Sequence, residues 1–193
     1  MTSVTVDGAD EFEPAARDSR FAEMVIHLAR KNVAEGGRPF ACVIAHGDEV
    51  VQASPNLVAQ TNDPTAHAEI VAISEACKRL GTEHLSDCTI YVLAHPCPMC
   101  LAALYYCSPE RVVFLTTRSD YAAYYVDDRK YFELNTFYSE FGRPWPERRL
   151  PMEYRANQDA LDVYRLWQQS NTDDRTDHAV HAGAQQRDPG TVG

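Results

Sequence analysis

Two stretches decide how this chain is read: Thr61-Asn62-Asp63-Pro64-Thr65-Ala66-His67-Ala68-Glu69 and Pro96-Cys97-Pro98-Met99-Cys100. Each opens a helical segment. Thr61 to Thr65 is a polar loop rich in helix-start residues, and behind it Ile70, Ile73, Cys77 and Leu80 recur on one stripe up to Gly81. Pro98 suits a first helical turn, where its missing N–H does no harm, and an apolar run continues from it to Cys107. Helix N-termini favour anions, so thiolates at 97 and 100 are stabilised there. His67 and Glu69 lie two residues apart, which on a regular helix puts them on nearly opposite sides, at about 100° per residue. They converge on one pocket only if the first turn is itself the pocket wall.

One histidine and two cysteines are ligands of the kind zinc takes. Three protein ligands with an open fourth position distinguish a catalytic zinc from a closed four-ligand structural one. Such a metal brings the pKa of water toward neutrality. Glu69 is not a ligand in this reading. Its expected role is to take a proton from the water and hand it on. The plainer alternative is a structural zinc site, or two buried thiols beside a histidine. Three ligands, an acid at that offset and no obvious fourth Cys or His favour catalysis. His95, so close to Cys97, would strain tetrahedral closure as a fourth ligand.

Working outward, Phe21, Met24, Val25, Leu28 and Ala29 have helical period, and Gly36-Gly37 ends that helix. Phe40 to Ala45 is a short apolar run that reads as a buried strand. The turn His46-Gly47-Asp48 leads to Val50-Val51 and makes the pair a hairpin. Thr89 to Ala94 and Arg111 to Thr116 are further apolar strands, and Met152 to Arg155 is a candidate for another. Residues 120–150 should form short helices and loops, and Asp159 to Gln168 a last helix. Helices alternating with strands imply an α/β domain layered around one sheet. We divide the chain into an acidic N-terminal segment, 1–18, a zinc domain, 19–169, and a polar, disordered tail, 170–193.

The 193 residues carry a formal net charge of -10 and are 45% hydrophobic. That supports a sizeable core and disfavours a phosphate backbone as partner, because no strongly basic patch interrupts the acidity. The N-terminus lacks the basic and apolar regions of a secretion signal, and no stretch reaches the apolar length of a membrane helix. The six cysteines, at 42, 77, 88, 97, 100 and 107, sit mostly in apolar segments and suit reduced thiols in the cytoplasm.

His-x-Glu followed by Pro-Cys-x-x-Cys is the signature of the zinc deaminases. With Gly37-Arg38-Pro39-Phe40, the Asn-Asp-Pro-Thr before His67 and Val126-Asp127-Asp128, the stretch from Phe21 to Trp167 resembles the cytidine deaminase-like superfamily. Within it, the chain is similar to the bacterial guanine deaminases and related nucleobase or nucleoside deaminases. The resemblance implies a three-layer α/β/α sandwich around a five-stranded mixed sheet, and a homodimer with exchanged C-terminal segments. It implies zinc on His67, Cys97 and Cys100, with Glu69 and Asp128 in catalysis. It also implies that Asn56 hydrogen-bonds a base and Phe40 stacks on it. His95 stands beside the substrate where guanine deaminases usually have Glu, and the end of the chain after Trp167 also departs from them.

The expected activity is therefore hydrolytic deamination of a free aminated base, a guanine-type purine first. Other bases, a triazine such as ammeline, or a nucleoside follow. A tRNA adenosine deaminase shares the motif but needs a basic groove, and a non-catalytic zinc interaction domain is the remaining alternative. Tyr121, Tyr124, Tyr125, Tyr131 and Tyr138 are expected to serve packing or dimer contact rather than a substrate lid.

Overall fold

A computed structural model of the chain describes residues 12–126 and 136–170. By its contacts the chain divides into two units, one ending at Arg143 and one starting at Pro144. The first holds the sheet and the motifs. Asp127, Asp128, Tyr131 and the tail after Ser170 lie outside the described residues.

Four strands form one sheet in the order β2-β1-β3-β4, with β1 at Ala41–His46, β2 at Glu49–Pro55, β3 at Thr89–Ala94 and β4 at Arg111–Thr116. β1 runs antiparallel to β2 and to β3, and β3 runs parallel to β4, so the sheet is mixed. β1 and β3 are central and mostly apolar, with His46 and Thr89 at their ends, and their side chains alternate between two faces. Cys42, Ile44, Ile90 and Val92 point to one cluster, and Ala41, Val43, Ala45 and Tyr91 to the other. Phe21, Val25 and Ala29 of α1 (Phe12–Ala34) cover the second face. α3 (Ala68–Leu80) and α4 (Pro98–Cys107) cover the first. This is the expected α/β/α layering.

Four expectations need correction. The sheet has four strands among the described residues, not five. Met152 to Arg155 forms no ladder; Met152 and Tyr154 are exposed, and Arg155 pairs with Glu153 two residues away. The inward stripe of α3 is Ala68, Ala72 and Ala76, with Ile73 and Cys77 flanking it and Leu80 exposed. Small residues there let the helix lie close on the sheet. Finally, α1 begins at Phe12, well before its apolar period starts at Phe21.

Ion pairs rather than apolar burial hold that first part of α1. Arg17 Nε meets Asp48 Oδ1 at 2.7 Å, and Arg20 donates to the Asp48 carbonyl. Asp18 accepts from Arg111 Nη1 at 3.0 Å and from the Tyr91 hydroxyl at 2.7 Å. These bonds tie α1 to the β1–β2 turn, to β3 and to β4. Short helices complete the first unit: α2 (Val58–Thr61), α5 (Arg118–Tyr121) and α6 (Phe137–Phe141). The second unit contains a 3-10 turn at Trp145–Glu147 and α7 at Gln158–Ser170, where the last helix was expected.

Candidate active site

The loop 62–66 delivers His67. Asn62 closes α2 in the left-handed region (φ 56°), which Asn tolerates better than most residues. Asp63 Oδ1 then accepts both the Thr65 N–H (2.8 Å) and the Thr65 hydroxyl (2.6 Å), holding its carboxyl below the usual range. The Leu57 N–H bonds the Ala66 carbonyl at 2.9 Å and ties the turn after β2 to this loop.

His67 is the N-cap of α3, with extended backbone (φ -64°, ψ 151°), and Glu69 sits in the first turn. The 100° helical rule therefore does not apply between them, and both side chains face one cavity. Cys97 is in the same way the N-cap of α4 (φ -68°, ψ 166°), directly after the C-terminal end of β3. Two helix N-termini thus converge at the carboxyl end of a strand, where open α/β sheets commonly bind ligands.

His67 Nδ1 lies 3.7 Å from Cys97 Sγ and 3.5 Å from Cys100 Sγ. All three ligand atoms fall within 4.8 Å of one another. Tetrahedral zinc with ordinary Zn–N and Zn–S bonds separates nitrogen from sulfur by about 3.6 Å, so the donor set fits zinc. Among the described residues His95 is not in this group.

Electrostatics match that chemistry. Cys97 is held at about 4 by the Cys100 thiol, the His67 ring and the Cys100 backbone N–H, despite its burial. Cys100 is pushed up, because it donates to Cys97 and is buried beside Glu69. Glu69 is only 8% exposed, and burial raises its carboxyl, with the Cys97 charge adding to the rise. Its own backbone N–H and His67 oppose the shift. A buried carboxyl that holds a proton more readily than usual suits a proton carrier.

The cavity is walled by Phe40, Asn56, His67, Glu69, Leu93, His95, Cys97, Tyr121 and Tyr125, among others. Asn56 is 1% exposed; its Oδ1 accepts the Val58 N–H at 3.1 Å, which leaves its NH2 for the cavity. Phe40 meets Tyr125 edge-on at 4.9 Å and Tyr121 at 6.0 Å. Tyr121 and Tyr125 therefore pack, as expected, but on the cavity wall against Phe40, while Tyr124 is 88% exposed. No period marks Tyr121 or Tyr125 in the sequence; the capping box of Thr117 and Asp120 that starts α5 brings them round. His95 lies on the rim, its backbone N–H on the Thr116 carbonyl (2.8 Å) and its ring against Phe114 (5.1 Å). Asp128 lies outside the described residues.

Comparison with known proteins agrees with this geometry. The family described as the cytidine and deoxycytidylate deaminase zinc-binding region matches residues 15–116. Guanine deaminase of Bacillus subtilis is 36% identical over 148 residues, 76% of this chain and 91% of that protein. The tRNA-specific adenosine deaminase of Aquifex aeolicus is 30% identical over 143 residues, 74% of this chain and 88% of that one. The crystal structure of the Bacillus subtilis guanine deaminase matches with a TM-score of 0.70 and 34% identity, covering 78% of this chain and 93% of that chain.

Proposed function

Since this chain belongs to the cytidine and deoxycytidylate deaminase family, we propose that it removes the amine of a free, guanine-type base by hydrolysis. The observation that carries the reading is the joint placement of His67, Cys97, Glu69 and Asn56 on one small cavity, with the buried Cys100 grouped with His67 and Cys97. Zinc on the three ligands would supply Lewis acidity that makes water a nucleophile at neutral pH. Glu69 takes one proton of the water and delivers it to the ring nitrogen beside the attacked carbon, then takes the second from the newly attached hydroxyl and gives it to the departing amine. A C–O bond forms, the C–N bond breaks, and ammonia leaves.

The Asn56 NH2 donates to an acceptor on the ring, a carbonyl oxygen or an unprotonated nitrogen. Phe40 packs on the ring, and with Tyr121 and Tyr125 it forms an aromatic wall that keeps water off it. His95 borders the substrate from the rim. Asp128 enters on its motif alone, as an acid that binds substrate and assists proton transfer. The reading includes a homodimer with exchanged C-terminal segments. It is supported by an α4 that is apolar almost throughout yet exposes Tyr105 and Tyr106, and by the exposed Phe114 on the edge strand. The six free cysteines suit the cytoplasm, and among the described residues no helix is long and apolar enough to cross a membrane.

Similarity to the Aquifex enzyme supports a second reading, a tRNA deaminase. A net charge of -10 opposes it. An ammonia-release screen of the zinc-loaded protein over guanine, isoguanine, cytosine, isocytosine, adenine, ammeline, their nucleosides and tRNA separates the two. Release from guanine or a related free base is expected. Turnover of tRNA with none from free bases would reverse the choice.

A further inference from the structure

The apolar stripe of α1, Phe21, Val25 and Ala29, continues inward at residue 32, where the pattern calls for another apolar side chain. The chain has Asn32 there. It is 2% exposed, whereas its neighbour Val33 is 52% exposed. A local rule broken in a buried place is often a functional device.

Both N–H donors and the oxygen of the Asn32 amide are engaged. Its Nδ2 donates to the Arg38 carbonyl at 2.7 Å and to the Asn56 carbonyl at 2.8 Å. Its Oδ1 accepts from Gln60 Nε2 of α2 at 2.8 Å. One side chain therefore joins the loop that precedes β1, the turn that follows β2, and the short helix leading to His67. The Asn56 N–H also bonds the Phe40 carbonyl at 2.9 Å, closing the ring of contacts. Gly37 leaves the space for it. A Cβ at that position would stand 2.3 Å from Asn32 Oδ1 and 2.4 Å from Gln60 Nε2.

We infer that Asn32 is a positioning residue for substrate binding: it clamps the backbones of Phe40's loop and of Asn56 so that the aromatic wall and the amide donor meet the base together. This rests on the reading of Phe40 and Asn56 as base-binding. Asn32 touches neither the metal ligands nor Glu69 through any of these bonds, so its loss acts on binding more than on the chemical step.

Asn32→Asp keeps the shape and removes both donations. In the zinc-loaded protein it should raise KM for the base turned over by roughly tenfold, with kcat changed less than about threefold and zinc content unchanged. Gln60→Leu, at an exposed position, should move KM the same way by about threefold, and it remains informative if Asn32→Asp does not fold. Val25→Ala, buried in the same helix away from the cavity, supplies a variant of lowered melting temperature for comparison. Amide hydrogen exchange gives a readout independent of activity. Exchange at the Asn56 and Val58 amides should quicken in Asn32→Asp and Gln60→Leu but not in Val25→Ala. Unchanged KM and unchanged exchange in both clamp variants, or the same KM rise in Val25→Ala, would overturn the proposal. A wild-type protein silent on every free base would instead overturn the functional reading, and the exchange data would still decide the clamp.

Discussion

The Val58 backbone N–H bonds Asn56 Oδ1 at 3.1 Å, and that one contact decides which end of the amide the cavity meets. An Asn on a pocket wall can present a donor or an acceptor, and the two choices select different rings. Here the oxygen is turned to the chain's own backbone, so the opposite end of the amide, its NH2 donor, is the end left for the wall.

It follows that Asn56→Asp keeps the bond to Val58 and replaces the donor with an anionic acceptor. The expected loss in kcat/KM is about 100-fold or more, because a site built to hydrogen-bond one group rejects a mismatch strongly. Steady-state kinetics with zinc content checked on the same sample test this. Near-normal kcat/KM would remove Asn56 from the base-binding set.

Glu69→Gln keeps the size of the side chain and removes the proton-carrying group. Zinc should stay at one ion per chain while kcat drops on the order of 10²–10⁴-fold. Metal analysis and single-turnover assays decide it, and a variant that turns over normally would show that another group moves the protons.

Removing a ligand should behave differently. Cys97→Ala should lose zinc and lower the melting temperature together, since metal binding and folding are linked. A chelator should lower the melting temperature of the parent protein in the same direction while sparing Cys97→Ala. One zinc per chain retained by that variant would mean that the ligand set is wrong.

A fourth expectation concerns pH. The Arg111 guanidinium beside Asp18 holds its carboxyl below the usual range, with the Tyr91 hydroxyl assisting. A depressed folded pKa contributes stability above the unfolded value, about 3.9 for Asp, and loses it as pH falls through the folded one. Asp18→Asn should therefore melt about 1–4 °C lower at neutral pH, a modest value for a partly exposed pair, and approach the parent protein as pH falls below the lowered carboxyl value. Tyr91 runs the opposite way: burial and Asp18 push its hydroxyl up to about 12, so its contribution is complete below about pH 10 and fades as pH rises through the folded value. Melting curves across pH check both limbs. Parallel curves for Asp18→Asn and the parent protein at all acidic pH values would deny the ion pair its role.

Much of the site was legible before any coordinates. His67, Glu69, Cys97 and Cys100 carry their chemistry in residue type and short spacing, and the apolar runs of β1 and β3 announce buried central strands. Asn56 and Phe40 followed only from resemblance, since a turn Asn and a core aromatic read the same way locally. Tyr121 and Tyr125 had no local signature as pocket residues. Asn32 betrayed itself only as a polar residue on an apolar stripe.

Sequence alone therefore picked out the candidate reacting groups, the strand and helix types and the acidic charge balance, because each depends on side-chain identity and on periods of two to four residues. Tertiary structure decided that His67 and Cys97 are N-caps rather than helix-interior residues, which is why ligands thirty residues apart share one metal-sized space with Glu69. It also decided which end of the Asn56 amide meets its own backbone and which groups Asn32 bonds. Those depend on which backbone amides and carbonyls of distant segments come within hydrogen-bond reach, and residue periodicity does not record that.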